Sequence, residues 1–208
     1  MQHFRTRRVK SLVFDPLVGV SVEASQFHIE PCDIFFTHGN GYFSQIIRLG
    51  EKHPGDWISL VNHTGITVEP GTIESADVVE ALSKVQKHTL WSKYHGQSDT
   101  VAIFRPLGLT DDQKKIIVDK ANDYVGREYG WFKILAHSAD FFTGGHYFFR
   151  RLACSDNYPI CSWVVSHAYS KVGLTFGCDP GQANPDDIWD YCMGHQDKYQ
   201  LVFNLQKV

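Results

Sequence analysis

The chain has 208 residues, 43% of them hydrophobic and 13% aromatic, with a formal net charge of −3. That is enough apolar side chain for one domain over residues 1–208, in which 1–30 reads as an N-terminal extension carrying at most one added strand. No basic run exists beyond Arg5-Thr-Arg-Arg-Val-Lys10, which with the weakly acidic balance argues against nucleic acid as the main ligand.

The five cysteines, Cys32, Cys154, Cys161, Cys178 and Cys192, form no Cys-x-x-Cys pair, so neither a zinc knuckle nor a thioredoxin-type motif is signalled. An odd count fits reduced thiols, and a cytoplasmic protein is expected. Asp15 and Pro16 break the first apolar run too early for a signal peptide, and no stretch is long enough for a transmembrane segment.

In chain order, residues 18–22 alternate as a short strand, and Asp33-Ile-Phe-Phe-Thr reads as another before a Gly39-Asn-Gly41 break. Residues 43–50 suggest a short helix ending in glycine. A long strand over 57–68 sets His63 on the face of Val61, Gly65 and Thr67, with Leu60, Ile66 and Val68 opposite. A strand over 76–85 puts Glu80 with Val78 and Leu82, and a loop holding Trp91 and Tyr94 leads to a third strand over 100–105. The three strands suggest an antiparallel meander.

Thr110-Asp-Asp-Gln113 is a capping box opening a helix whose inner face is Ile116, Ile117, Ala121, Tyr124 and Val125, with Gly126 as its end. The aromatic stretch 129–142 reads as helical, and Gly144-Gly145 breaks it. A helix opening near Pro159 places Cys161 in its first turn, on the apolar stripe of Val164, Val165, Ala168 and Val172. Asn184-Pro-Asp-Asp caps a short helix through Trp189, and 199–205 alternates as a closing strand.

A thiol in a helix's first turn faces the positive end of the dipole, which favours thiolate, the nucleophilic form. The competing reading of Cys161 is a small buried cysteine filling a helix–sheet contact. His63 as general base and Glu80 as the group orienting it would complete a cysteine hydrolase, provided the two strands are neighbours. His63 could equally be a core histidine, Glu80 a solvent-side residue, and Glu69 or Glu74 rivals for its role. Cys154 lacks a following helical pattern, and His167 lies too far round the helix to reach Cys161. His88, His95 and His146 read as loop residues without metal-ligand spacing, so no metal or other cofactor is expected.

The order strand-His, strand-Glu, helix-Cys, with Asp-Ile-Phe-Phe, Asn-His-Thr-Gly-Ile, Val-Val-Glu-Ala, Gly-Arg-Glu-Tyr and Ile-Cys-Ser, resembles the circularly permuted papain-like amidases of the NlpC superfamily, particularly the YiiX-like group. The resemblance covers roughly residues 32–190. It implies an α+β fold with a small antiparallel β-barrel packed on helices, with Cys161 as nucleophile, His63 as base and Glu80 orienting it. It also marks Tyr129, Ser162 and Trp163 as substrate-pocket candidates, Tyr129 being just as readable as a core aromatic. Two departures stand out: Cys32 occupies a usual glycine position, and Trp163 follows Ser162 where related sequences often carry a carboxylate.

The expected reaction is hydrolysis of an amide or isopeptide bond through a thioester, murein peptides being one substrate class. An acyl-lipid substrate is the alternative, for which the aromatic segment 141–149 could supply an apolar patch. The rival class is a non-catalytic binding module that keeps the frame.

Overall fold

The computed structural model describes residues 27–38, 61–94, 100–130 and 156–205. The strand at 18–22, the break at 39–41, the helix at 43–50, the start of the strand at 57–60, the stretch 131–149, Cys154 and His95 lie outside them.

The architecture is α+β. Six strands form one antiparallel sheet in the order β6-β5-β3-β2-β7-β8: β2 (Ile34–His38), β3 (His63–Glu69), β5 (Asp77–Ala81), β6 (Val85–Thr89), β7 (Thr100–Pro106) and β8 (Tyr199–Leu205). Strands β1 (His28–Ile29) and β4 (Gly71–Thr72) pair separately. The helices described are α1 (Leu90–Tyr94), α2 (Asp111–Asn122), α3 (Cys161–Ser170) and α4 (Pro185–Gly194).

Strand alternation sends successive side chains to opposite faces, and here both faces are buried. Ile34, Phe36, Ile66, Val79 and Phe104 pack with Ile117, Val164, Val165 and Trp189 on the helical side. Phe35, Val78, Val101 and Ile103 pack with Ile29, Ile73 and Leu90 on the other. Trp189 meets Phe36 and Phe104 edge-on, with ring centroids 5.3 and 5.2 Å apart, and so ties α4 to the middle of the sheet.

Several sequence expectations need correction. The strand expected over 76–85 is two strands, because the chain reverses at 82–84 and β6 folds back on β5 with Ala81 opposite Val85. Leu82 therefore leaves the face of Glu80, and His88 lies on a strand instead of a loop. The third strand does not continue the meander: β7 crosses to the far side of β2, with Phe104 opposite Ile34. Its run Val-Ala-Ile-Phe is buried on both faces, which suits an interior strand and would be wasted at an edge. Trp91 and Tyr94, expected in a loop, sit on α1.

The capping box of α2 forms as expected: the Gln113 N–H donates to Thr110 Oγ1 at 3.2 Å and the Thr110 N–H to Gln113 Oε1 at 3.0 Å. Helix α2 stops at Asn122, and Gly126 closes the following turn at φ +90°. Ile117, Ala121 and Tyr124 are buried; Ile116 is 45% exposed, since one residue's step turns a helical side chain by about 100°, and Val125, in the turn after the helix, is 42% exposed. Asn184 caps α4, which runs past the expected end at Trp189.

Candidate active site

Helix α3 opens at Cys161, not at Pro159. Ile160 is the extended N-cap, with φ −103° and ψ 174°, and the carbonyl of Pro159 accepts the Gly130 N–H at 3.1 Å. That bond pairs the Pro159 carbonyl outside the helix, which begins two residues later. A Cβ at Gly130 would lie 2.2 Å from the Tyr158 carbonyl oxygen, so the close approach of the two segments depends on glycine there. Half-buried Tyr129, next to that contact, packs on the helical-side core.

Cys161 is the first helical residue and is 5% exposed. Val164, Val165 and Ala168 are fully buried on the sheet, which anchors the stripe read from the sequence. Ile160 provides no side-chain cap, and the first intrahelical bond is Val164 N–H to the Ile160 carbonyl, so the Cys161 N–H has no intrahelical acceptor. Ser162 is fully buried, and its hydroxyl has no hydrogen-bond partner among the described residues. Trp163 is also buried; its indole N–H donates to Asp156 at 2.9 Å and its ring stacks on His167 at 4.0 Å.

His63 opens β3, its side chain 16% exposed. Its Nε2 bonds Glu80 Oε2, and Cys161 lies within hydrogen-bonding reach of the same ring. With Nε2 taken by Glu80, Nδ1 is the nitrogen left for the thiol. Glu80 has no exposed side-chain surface. Its Oε2 also accepts the Tyr94 hydroxyl at 2.6 Å, and Oε1 lies 2.7 Å from His88 Nε2, the ring being turned out of line for a linear hydrogen bond.

These contacts oppose burial. Burial alone would lower the pKa of His63, but Cys161 and Glu80 push it up to about 10. Burial likewise raises Glu80, yet the charge of His63 and the contacts from His63, His88 and Tyr94 bring it down to about 2. A carboxylate and an imidazolium are the states this pair favours.

The floor of the site is the Phe35 ring, 6.2 Å from His63 and 5.7 Å from Tyr94 between centroids. Gly65, next to His63 on the same strand face, admits that ring: a Cβ there would meet Phe35 at 2.4 Å and the Val79 carbonyl at 2.9 Å. The rival carboxylates lie elsewhere. Glu69 is 57% exposed beside Lys87, and Glu74 is exposed in a turn.

His88, Tyr94 and Asp156 were not singled out from the sequence. His88 is findable in principle, because β6 pairs His88 with Val78 on the face of Glu80 once the strand is split at 82–84. Tyr94 and Asp156 carry no local signal, since Tyr94 meets Glu80 and Asp156 meets Tyr124 only through the fold. Cys32, where glycine was expected, sits at φ +72°, the left-handed region that glycine enters freely, just before buried Asp33. Among the described residues no three His, Cys, Asp or Glu side chains form a metal-binding group, and no helix is long and apolar enough to cross a membrane.

Compared with known proteins, the chain matches no family model and no curated protein.

Proposed function

We propose that this protein is a cysteine hydrolase of the circularly permuted papain-like kind, in the YiiX-like group of the NlpC superfamily, cleaving an amide or isopeptide bond. The observation that carries the reading is the single ring of His63, bonded to buried Glu80 and within hydrogen-bonding reach of Cys161 at a helix start. A core histidine, a solvent-side glutamate and a packing cysteine, taken separately, do not account for the three converging. The proposal includes the barrel expected from the resemblance and a cytoplasmic setting, where a catalytic thiol stays reduced.

His63, beside Cys161, takes the proton of the sulfur as the reaction begins. The thiolate attacks the carbonyl carbon, forming the S–C bond, and His63 passes its proton to the departing nitrogen as the C–N bond breaks. Water then gives a proton to His63 as its oxygen attacks the thioester, and the C–S bond breaks to restore the thiolate. Glu80 holds the imidazole orientation throughout and balances its charge. The Cys161 N–H is one donor for the oxyanion, a contribution of about 2.7–4 kcal/mol.

Murein peptides are the first substrate class to try. The test has two stages. Alkylation by iodoacetamide, mapped by mass spectrometry, should find Cys161 the fastest-reacting thiol, with Cys161→Ser as control. A panel of murein peptides, isopeptides and acyl lipids should then give turnover that Cys161→Ala and His63→Ala each lower by at least about a hundredfold. Turnover at the parental rate in either variant refutes the mechanism.

A further inference from the structure

Glu80 has a histidine beside each of its oxygens. Oε2 takes His63 and the Tyr94 hydroxyl, while Oε1 lies 2.7 Å from His88 Nε2. The other nitrogen of His88, Nδ1, is 3.0 Å from the Thr89 carbonyl, which can only accept, so Nδ1 carries a proton. A neutral His88 would then leave an unprotonated Nε2 2.7 Å from a carboxylate oxygen, off the line of a linear hydrogen bond. The contact is attractive only with Nε2 protonated as well, which makes His88 an imidazolium. Around it stand Glu80 on β5, Lys93 and Tyr94 on α1, and His63 beyond the carboxylate; Glu80 favours the charge and Lys93 opposes it.

We infer that His88 is a positioning residue for the Cys161 reaction: from Oε1 it fixes the Glu80 carboxylate so that Oε2 stays aimed at His63, and its charge limits how tightly Glu80 retains the His63 proton. The inference rests on the hydrolase reading above. A buried carboxylate beside His63 raises the proton affinity of its ring, which opposes release of the proton to a leaving group. A second cation on the same carboxylate loosens the hold. The His88 side chain, 18% exposed, borders a cavity of about 430 Å³ lined by Leu82, Ser83, Gln86, Ser92 and Lys93. Once His88 gives up that proton, its lone pair repels Oε1 and the support is withdrawn.

The experiment compares the parent protein, His88→Ala and His88→Gln by two readouts: the pH profile of iodoacetamide alkylation at Cys161, and the ring titration of His63 by nitrogen NMR. Losing a contact to a charged group should slow alkylation about tenfold in His88→Ala, and Gln, whose amide N–H can meet Oε1, should recover the rate to within about threefold. In both variants the His63 titration should move to higher pH, because the competing cation is gone. Parental alkylation in His88→Ala, a Gln variant as slow as the Ala variant, or an unmoved His63 titration overturns the inference. If His88→Ala does not fold, His88→Gln decides by its His63 titration alone. Parent protein that fails to label at Cys161 above the Cys161→Ser control refutes the hydrolase reading instead, while the NMR titration still tests the coupling of His88 to His63.

Discussion

The indole N–H of Trp163 donates to Asp156 at 2.9 Å, and the same oxygen accepts the Tyr124 hydroxyl at 2.5 Å. Two residues after Cys161, the helix is thereby tied to α2 and its following turn, with Arg127 and Lys120 at 3.3 and 3.5 Å from the other oxygen. Trp163 thus meets a carboxylate seven residues upstream of it.

Asp156→Ala should therefore destabilise the protein. Burial raises the Asp156 pKa, but the Tyr124 and Trp163 hydrogen bonds and the charges of Lys120 and Arg127 outweigh it and hold the group well below the usual carboxylate range. The side chain is 49% exposed, so screening discounts the ionic part, and about 1–2 kcal/mol of unfolding free energy is the expected loss. Urea unfolding measures it; an unchanged midpoint would show that the clamp contributes nothing.

Arg105 forms a two-pronged contact with fully buried Asp33, Nε to Oδ1 at 3.0 Å and Nη2 to Oδ2 at 2.8 Å, and also reaches Glu30. Burial still leaves the Asp33 pKa raised, so the carboxylate depends on its partner. Arg105→Ala should cost about 3–5 kcal/mol, the penalty for stranding a buried charge. Arg105→Lys should recover only part, lacking the planar fork. Thermal melts ranking Lys equal to the parent would contradict this.

Stability should fall on both sides of a plateau. Glu80 drops from 4.5 to about 2 on folding, so its contribution is full above pH 4.5 and is lost as pH falls toward 2. His63 rises from 6.5 to about 10, so its contribution is full below pH 6.5 and is lost as pH climbs toward 10. The pair therefore contributes most between pH 4.5 and 6.5. The stability gap between parent and Glu80→Gln, measured by denaturant titration at each pH, should be widest there; a gap independent of pH would reject the linkage.

Gly65→Ala should disturb the site from below. Its methyl would press on the Phe35 ring and the Val79 carbonyl, costing about 1–3 kcal/mol as overpacking and tilting the floor beneath His63. Alkylation of Cys161 should slow in the same variant. Parental stability together with parental reactivity would show that the space is larger than these distances allow.

The sequence by itself determined those elements whose signals are local. Thr110 with Gln113, and Asn184 with Asp187, mark helix starts because a cap needs only residues three apart. The stripe from Cys161 to Ala168 and the alternation of β8 are likewise written in neighbouring residues. His63 and Glu80 on strands and Cys161 at a helix start are placements of the same local kind. Only the tertiary structure decided which carboxylate meets His63, because strand register and the reversal at 82–84 choose among Glu69, Glu74 and Glu80. The same reversal carries His88 onto the second oxygen of Glu80, and α1 brings Tyr94 onto the first. Periodicity shows which face a side chain takes; what stands across from it depends on pairing and packing between distant segments.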